Sequence, residues 1–339
     1  MKKIALVGYG YWGPNLLRNF FENPDCEVLY CCDKDASKLK IVRKRYPSVV
    51  TTTNYEEIIS DTELSAVVIA TPTKFHFPLA KMALEAGKDV LIEKPMTLNV
   101  IEAEKLISVA SKNKRIIMVD HTFLYNEAVR KIKKIIDSGN LGNILYIDSV
   151  RANLGLFQND SNVIYDLASH DFSIINYLLS KRPISVQAYG KSHINEQEDV
   201  SHIITEYDRE VFAHLHVSWL SPLKVRTMSI IGTKKMLLYN DVDPSQKICV
   251  YEKGVTIEGG LTKKLEEQKI SYRSGDAFLP NIKSTEALSL MVADFITSIS
   301  NRTEPLSNGK LGAEVVELLQ KSTESLRSGK KIRLIHGNR

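Results

Sequence analysis

The sequence predicts an α/β protein that starts with a doubly wound parallel sheet and continues as an α+β domain with a large, mainly antiparallel open sheet. From residue 1 to about 121, short apolar runs alternate with segments of helical spacing, which is typical of parallel strands covered by helices on both faces. Beyond residue 121, apolar and polar residues alternate instead, which is typical of antiparallel strands with one solvated face. We therefore expect two domains, 1–121 and 122–339.

The composition is that of an ordinary globular protein, with 43% hydrophobic and 25% charged residues. The net charge of +5 is spread along the chain without a nucleic-acid-binding motif, so we expect no nucleic-acid partner. No apolar stretch has the length needed to span a bilayer, so we expect no membrane partner either. The cysteine spacing fits neither a zinc site nor a disulfide framework, which favours free thiols in a reducing cytoplasm; the cysteines are Cys26, Cys31, Cys32 and Cys249.

The first domain is organised around a glycine-rich turn. Residues 4–7 form an apolar strand that ends in Gly8, Gly10 and Gly13, and helical spacing of apolar residues begins directly afterwards. Gly8 allows a sharp turn, Gly10 lets the backbone approach a pyrophosphate, and Gly13 lets the helix pack closely on the strand. Pro14 suits the first helical turn because its missing N–H has no helical partner there. The pattern predicts dinucleotide binding at the amino end of this helix.

A second apolar run, 26–32, ends at Asp33. An acidic side chain at this distance from the glycines accepts hydrogen bonds from the adenosine ribose hydroxyls and repels a 2′-phosphate. The sequence therefore favours NAD over NADP as the cofactor. NADP stays open because a basic cluster follows, although such a run is more typical of a solvated helix face; it consists of Lys38, Lys40, Arg43, Lys44 and Arg45.

The rest of the first domain continues the alternation of strands and helices. Strands are predicted over 49–51, 66–70, 89–92 and 115–119, and helices over 36–46, 55–59, 75–86 and 100–112. Ligands of doubly wound sheets bind at the carboxyl ends of the strands. At two of these ends the sequence places Thr71-Pro72-Thr73, followed by His76, and Glu93-Lys94-Pro95. We expect Lys94 to lie at the nicotinamide end of the cofactor.

The second domain begins with a helix over 126–138 and continues mainly as strands, predicted over 144–153, 184–189, 200–207, 211–219, 226–231 and 235–239. The weak pattern of 247–278 predicts only short strands and loop, and helices over 286–299 and 312–326 close the chain. Along 211–219, the side chains of Phe212, His214 and His216 share one face. His214 and His216 have no acidic or cysteine neighbour in the sequence, so we predict a partner-facing polar surface rather than a metal site.

One long helix, 162–180, interrupts these strands. Asp166 and His170 lie one turn apart on it, so both side chains can point into the same cleft. A carboxylate beside an imidazole orients the ring and tunes its pKa, which suits proton transfer near neutral pH. The spacing is equally compatible with a solvated polar stripe.

These residues resemble those of the glucose-fructose oxidoreductase, inositol dehydrogenase and MocA family of sugar dehydrogenases. The resemblance covers essentially the whole chain and rests on four motifs, which are VGYGYWG at Val7 to Gly13, ATPTKFH at Ala70 to His76, EKP at Glu93 to Pro95 and DLASHD at Asp166 to Asp171. It implies an NAD-binding Rossmann domain, followed by a domain for substrate binding and oligomerisation. It also implies that Lys94 and His170 act at the reacting carbon with Asp166 beside them, and that the Lys94-Pro95 peptide is often cis. Further cofactor contacts are expected from Tyr11, Trp12, Thr71, Pro72, His76, Glu93 and Pro95.

Three further segments are similar to the family members that act on nucleotide-activated sugars in surface-polysaccharide or lipid A pathways; they are 121–130, 151–157 and 216–222. The nearest type of member oxidises the 3-hydroxyl of UDP-N-acetylglucosamine or of its uronic acid. The resemblance therefore implies an oxidoreductase with a nucleotide-sugar substrate that forms a homodimer or a homotetramer.

For the reaction, we expect His170 to accept the proton of a secondary alcohol while Lys94 stabilises the alcohol oxygen as hydride departs to NAD. Asp166 orients His170 or binds a neighbouring sugar hydroxyl. Sugar or diphosphate contacts are expected from Tyr125, Asn126, Arg151 and Asn153, and this chemistry requires no metal. Three alternatives stay open: an inositol or other sugar dehydrogenase, a reductase of a 3-keto dTDP-sugar, and a dinucleotide-sensing regulator without catalysis.

Overall fold

The computed structural model describes residues 1–157, 161–208, 211–258 and 269–334. Two units are distinguished by the contacts within them. Unit 1 comprises Met1–Asn126 and Thr285–Gln320, and unit 2 comprises Glu127–Ser284 and Lys321–Arg339.

Unit 1 contains a six-stranded parallel sheet. Its strands are β1 (Lys2–Val7), β2 (Cys26–Cys32), β3 (Val50–Thr52), β4 (Ala66–Ile69), β5 (Asp89–Glu93) and β6 (Ile117–Asp120). Their spatial order is β3-β2-β1-β4-β5-β6, and every neighbouring pair is parallel. The strand order reverses at β1, so the switch point of the sheet lies at the glycine turn that follows β1. This topology confirms the predicted doubly wound fold.

Five helices connect these strands. They are α1 (Gly13–Glu22), α2 (Ala36–Arg45), α3 (Tyr55–Ser60), α4 (His76–Glu85) and α5 (Val100–Lys112). Asp35, Asn54 and Asn99 cap α2, α3 and α5, because each side-chain oxygen accepts a hydrogen bond from a backbone N–H of the first turn. Every residue of β4 is buried, as expected for a strand covered on both faces.

Unit 2 contains a nine-stranded sheet that is mainly antiparallel, as predicted. Its helix α6 (Glu127–Asp137) precedes the strands β7 (Ile144–Ala152), β8 (Ser185–Lys191), β9 (Val200–Glu206), β10 (Phe212–Ser218), β11 (Val225–Gly232), β12 (Met236–Asn240), β13 (Ile248–Glu258), β14 (Lys269–Phe278) and β15 (Ile332–Arg333). The spatial order is β14-β13-β12-β11-β7-β10-β9-β8-β15. Only the β7–β10 pair is parallel among the described strand pairs of this sheet.

The prediction of short strands and loop over 247–278 was wrong. β13 and β14 form a long antiparallel pair at one edge of the sheet, and the residues that connect them, 259–268, lie outside the described chain. Tyr272 and Ile270 on β14 remain 82% and 57% exposed. A strand that buries neither face needs no alternation of apolar and polar residues, so its sequence carries no period-2 signal.

The segment predicted as one helix over 162–180 has two parts. A π-helical turn covers Ile164–Ala168, and α7 (Ser169–Leu179) continues from it as a regular helix. Single π-helical turns occur frequently at functional sites, because the extra residue re-aims the side chains around it.

The chain returns to unit 1 near its carboxyl end, a return that the expected division into 1–121 and 122–339 does not include. Residues 285–320 belong to unit 1 and include α8 (Ala287–Asn301) and the first part of α9 (Gly309–Ser328). Phe295 of α8 packs edge-on against Phe20 with ring centroids 6.2 Å apart. The backbone N–H of Val119 in β6 donates to the carbonyl of Ser307. Helical spacing predicted both helices correctly but does not encode which unit buries them.

All four cysteines are free, as predicted. Burial raises the pKa of Cys26 and Cys31 to about 12, and that of Cys32 to about 11. These three thiols therefore stay protonated and unreactive near neutral pH. In the described part of the chain, no helix combines the length and the apolar character needed to cross a bilayer.

Candidate active site

The three glycines after β1 differ in what surrounds them. Gly8 has φ +100°, and a Cβ there would lie 2.4 Å from the carbonyl oxygen of Ala70. A Cβ on Gly13 would lie 2.4 Å from the carbonyl oxygen of Gly8. A Cβ on Gly10, by contrast, would meet nothing within 4 Å. The fold itself thus requires Gly8 and Gly13, whereas Gly10 faces open space of the kind that a pyrophosphate needs.

Asp33, directly after β2, is held beside the glycine turn. One carboxylate oxygen accepts the backbone N–H of Tyr9 at 2.7 Å, and the other accepts that of Asp35 at 2.8 Å. The ammonium of Lys38 lies 3.6 Å from the carboxylate. Each carboxylate oxygen has more than one acceptor site, so the residue can also accept hydrogen bonds from ribose hydroxyls.

Trp12, at the start of α1, connects the glycine turn with the far edge of the sheet. Its indole N–H donates to Asp120 at the end of β6 over 3.1 Å. Its neighbour Tyr11 is 88% exposed. Trp12 therefore spans the carboxyl edge of the strands, where a dinucleotide binds in this type of sheet.

His76 holds together the loops that follow β4 and β5. Its Nε2 lies 2.7 Å from the carbonyl oxygen of Thr71, and its Nδ1 lies 2.9 Å from that of Pro95. Burial lowers the pKa of His76, so the ring is neutral and donates to one of the two carbonyls. The expected direct contact of His76 with the cofactor is corrected here, because both ring nitrogens face the protein's own backbone. Next to it, the Lys94-Pro95 peptide is cis.

Glu93 and Asp120 end β5 and β6 and are partners in the register of the parallel pair. Glu93 accepts the backbone N–H of Lys94 over 3.2 Å, and Asp120 accepts the hydroxyl of Thr122. Desolvation, followed by the charge of Asp120, raises the pKa of Glu93 well above its usual range. Its surroundings therefore disfavour the charged form of Glu93 next to Lys94.

In unit 2, Asp166 lies in the π-helical turn and His170 in the first turn of α7. The indole N–H of Trp219 donates to the carboxylate of Asp166 over 3.0 Å. Trp219 is fully buried, and a Cβ on Gly155 would lie 2.5 Å from its ring. Trp219 thus fixes the orientation of Asp166. Sequence spacing missed Trp219 because it directly follows β10, 53 positions away from Asp166.

Arg151 does not have the position expected of a residue that binds the sugar or its diphosphate. It is 3% exposed, and its guanidinium contacts the carboxylate of Asp171 at 2.7 and 3.3 Å. Asp171 also accepts the hydroxyl of Ser149 at 2.9 Å. Because its guanidinium forms this buried, bidentate ion pair, Arg151 cannot bind a sugar diphosphate. The expected contact between Arg151 and the substrate is therefore corrected. Asn153, further along the same segment, is partly exposed and stays a candidate sugar contact.

The expected contact between Tyr125 and the sugar is corrected for a similar reason. Its side chain is fully buried in unit 1, and its hydroxyl donates to Asp294 of α8 over 2.6 Å and lies 3.2 Å from the hydroxyl of Ser307. Burial raises the pKa of the Tyr125 phenol far above its usual value. Tyr125 stabilises unit 1, whereas its neighbour Asn126 is partly exposed and stays a candidate sugar contact.

Replacing Arg151 with methionine is expected to lower the free energy of unfolding by roughly 3–5 kcal/mol, because the carboxylate of Asp171 stays buried without its counterion. Urea unfolding measures the change. Arg226→Met is the matched control: its ion pair with Asp241 spans 3.5 Å and is partly exposed, so the expected loss is below about 1 kcal/mol. Equal losses in the two variants would contradict this account of Arg151.

The histidines of β10 have an acidic partner that the local sequence did not indicate. His214 Nδ1 lies 2.6 Å from the carboxylate of Asp148 on β7, and His214 Nε2 lies 3.2 Å from His202 Nδ1. The ring of His216 stacks on that of His202 with centroids 4.4 Å apart. Among the described side chains, no group of three or more His, Cys, Asp or Glu is arranged to hold a metal ion.

A cavity of about 610 Å³ lies at the opposite edge of the unit 1 sheet, where the strands begin. Its cationic lining residues are Lys2, Lys88, Lys114, Arg115 and Arg302. Helices α4, α5 and α8 all end here, and Arg302 donates to the carbonyl oxygens of Lys114 and Ile299. Cations at helix carboxyl ends offset the exposed carbonyls and the negative end of the dipole, so these side chains have a structural role.

Comparison with known families decides the assignment of the chain. Residues 2–121 match the model of an oxidoreductase family with an NAD-binding Rossmann fold, and residues 129–238 match the GFO/IDH/MocA C-terminal domain. The chain belongs to the GFO/IDH/MocA oxidoreductase family. This membership is what the resemblance of its motifs implied.

Three known proteins are similar to this chain. The UDP-N-acetylglucosamine 3-dehydrogenase of Acidithiobacillus ferrooxidans is 26% identical over 258 residues, which cover 75% of this chain and 76% of that protein. Inositol 2-dehydrogenase of Salmonella typhimurium is 27% identical over 55% of this chain and 57% of its own length. The solved structure of GenD2 from gentamicin A biosynthesis, in complex with NAD, has a TM-score of 0.83 and 19% identity, and the match covers 99% of this chain and 97% of GenD2. With the first curated relatives, the match spans only 50% and 42% of their length.

Proposed function

We propose that this protein is an NAD-dependent dehydrogenase that oxidises a secondary hydroxyl of a nucleotide-activated sugar. The observation that carries the proposal is the carboxyl edge of the unit 1 sheet. There, Gly10 borders open space, Asp33 is held beside the turn, and Lys94 follows β5 in a loop braced by His76. Substrate oxidation at such an edge needs a hydride acceptor, and the nicotinamide ring of NAD supplies that capacity when bound.

The residues around the glycine turn fit NAD. The space at Gly10 admits a pyrophosphate, and the backbone N–H groups at the start of α1 favour its negative charge. Asp33 follows β2, on the adenosine side of the switch point, where its carboxylate accepts hydrogen bonds from ribose hydroxyls and repels a 2′-phosphate. NAD is therefore proposed over NADP, even though Lys38 lies near the carboxylate.

The proposed chemistry divides between two side chains. His170 removes the hydroxyl proton as a general base. The ammonium of Lys94 stabilises the negative charge that develops on the alcohol oxygen. The raised pKa of Glu93 disfavours a negative charge beside that ammonium. Asp166, fixed by the indole of Trp219, orients His170 or binds a neighbouring sugar hydroxyl.

The proposed substrate is UDP-N-acetylglucosamine or its uronic acid, oxidised at C3. Support comes from the similarity to the UDP-N-acetylglucosamine 3-dehydrogenase over three quarters of both chains. Asn126 and Asn153 are the proposed sugar contacts. The similarity to inositol 2-dehydrogenase keeps a cyclic polyol as the second candidate substrate.

The experiment is a substrate panel followed at 340 nm, where NADH absorbs. We expect NADH formation with UDP-N-acetylglucosamine or its uronic acid, and none with myo-inositol. Gly10→Ala is the matched control. It adds one methyl group to open space, so we expect unchanged stability. We expect a lower affinity for NADH, because the methyl group obstructs the pyrophosphate. Turnover of myo-inositol alone would overturn the substrate proposal. NADH binding without turnover of any sugar or polyol would favour a dinucleotide-sensing regulator.

The open face of the unit 2 sheet is proposed to contact a second copy of the chain. Tyr146 and Phe212 stack there with centroids 5.4 Å apart, and Ile204 and Tyr189 on the same face are 43% and 69% exposed. Apolar and aromatic side chains that no helix of the described chain covers are typical of an interface between subunits. Sedimentation of the protein as a monomer only would contradict this proposal.

The free thiols suit a cytoplasmic location.

A further inference from the structure

Three histidines lie together on the open face of the unit 2 sheet, and we call them the histidine cluster. His202 belongs to β9, and His214 and His216 belong to β10. The ring of His202 stacks on both of the others, with its centroid 4.4 Å from that of His216 and 5.5 Å from that of His214. His202 Nδ1 lies 3.2 Å from His214 Nε2. This hydrogen bond needs one nitrogen without a proton, so it is lost when both rings are protonated.

Asp148 on β7 contacts the histidine cluster through His214, whose Nδ1 lies 2.6 Å from the carboxylate. Other titratable or charged side chains share this face on the neighbouring strands; they are Tyr146 of β7, Tyr189 and Lys191 of β8, and Glu206 of β9. On β11 the same face carries the uncharged residues Thr227, Ser229 and Ile231.

The carboxylates of this face can offset only part of the charge of a protonated cluster. Glu206 is already paired with Lys331 and accepts the hydroxyl of Ser185. Asp148 lies beside one ring and can therefore balance one positive charge. A second and a third protonated ring gain no further unpaired carboxylate from the described residues of this face, so protonation makes the cluster cationic.

The histidine cluster lies within the surface that is proposed to contact a second copy of the chain. Phe212 precedes His214 by two residues on β10, and Tyr146 precedes Asp148 by two residues on β7, so the aromatic pair and the cluster share one face. In the single chain, the His202 side chain is exposed and the other two rings are partly exposed. A second copy on this face removes water from all three rings, which costs little for neutral imidazoles and much for cations.

Burial lowers the pKa of His202 and of His216, and the charge of a neighbouring protonated ring lowers it further. Both rings are therefore neutral at neutral pH. A second copy buries them more deeply and lowers these pKa values again. The subunits in contact thus bind protons less readily than the separate subunits. Association is therefore strongest above the pKa values of the separate subunits and weakens as the pH falls through them.

We propose that the histidine cluster makes the self-association of this chain pH-dependent, so that two copies associate while the rings are neutral and separate when the rings are protonated. This inference rests on the proposed contact between two copies and names what regulates it. Neutral stacked imidazoles fit a covered face, whereas imidazolium rings at centroid distances of 4.4 and 5.5 Å repel one another. An unperturbed imidazole titrates near pH ~6.5, so the change is expected below that pH.

The test is sedimentation equilibrium of the full chain at about pH 7.5 and about pH 5.5, on either side of the imidazole titration. We expect the dissociation constant of the dimer to be roughly tenfold or more higher at the acid pH. Circular dichroism at both pH values shows whether the subunits stay folded. The double variant His202→Gln and His216→Gln carries amides that do not titrate, so its association is expected to be the same at both pH values. His193→Gln is the matched control, because it removes a histidine that contacts Asp199 outside the strands, and it is expected to keep the pH response.

A second pair of variants tests the effect of charge at constant pH. His202→Lys places a permanent positive charge in the cluster, and His202→Gln places a neutral polar group at the same exposed position. At about pH 7.5 we expect His202→Lys to raise the dissociation constant of the dimer by roughly tenfold, whereas His202→Gln leaves it within a few-fold.

Two results would overturn the inference about the histidine cluster. One is a dimer of the unchanged protein with the same dissociation constant at both pH values, and the other is a double glutamine variant that still separates at the acid pH. If the unchanged protein is a monomer at both pH values, the proposed contact between copies fails together with the inference. The dehydrogenase proposal is tested separately by NADH formation, so these failures are distinguishable.

Discussion

Lys94→Met is expected to lower kcat by about 10²- to 10³-fold while leaving the dissociation constant of NADH within a few-fold. Methionine keeps the length and apolar stem of lysine but removes the ammonium. The proposed role of that ammonium is to stabilise charge that exists on the alcohol oxygen only as hydride leaves, so its loss raises the barrier rather than the affinity. Steady-state rates with the best substrate of the panel, combined with calorimetric NADH binding, separate the two effects.

Lys81→Met is the matched control for this prediction. Lys81 lies on α4 of the same unit, and its ammonium forms a surface ion pair with Glu85. The variant loses the same charge from the same unit, and we expect wild-type kcat. A Lys94→Met protein whose whole defect lies in NADH affinity would refute the proposed role, because Lys94 would then act on the cofactor alone.

His170→Ala is expected to lower kcat/KM by about 10²- to 10⁴-fold and to remove the acid limb of its pH profile. A general base must be deprotonated to accept a proton, so a decrease of kcat/KM at low pH in the unchanged protein reports protonation of that base. Without the imidazole, this decrease no longer occurs. The measurement is kcat/KM across the neutral and mildly acidic range.

Added imidazole distinguishes a chemical role of His170 from a structural one. The cavity left by alanine admits free imidazole, which is expected to restore part of the rate in proportion to its neutral form. Trp219→Phe is informative alongside it, because it removes the hydrogen bond to Asp166 but keeps His170. We expect a smaller decrease in rate with the acid limb retained. An unchanged acid limb in His170→Ala would show that another group accepts the proton.

Local patterns predicted most of the fold and the parts of the site that lie next to one another in sequence. The glycine turn, Asp33 and Lys94 each follow a strand whose apolar run is evident from the sequence alone. Their positions at the carboxyl edge then follow from the rule that parallel strands share one direction.

The missed features depend on contacts between distant segments. Tyr125 was expected to bind sugar, but α8 buries it, and its partner Asp294 lies 169 positions away. The buried position of Arg151 could have been predicted from the sequence. Arg151 shares a face of β7 with Ile147 and Ser149, and that face is buried.

The return of residues 285–320 to unit 1 has a consequence for biosynthesis. A ribosome that has made the six parallel strands has not yet made α8, whose side chains cover Phe20 and bind Tyr125. The nascent amino-terminal half therefore exposes apolar surface until residues 285–320 have been translated, and contacts of such long sequence separation form slowly. A truncation after residue 121 would leave the same surface uncovered, so an isolated amino-terminal fragment should aggregate or recruit chaperones.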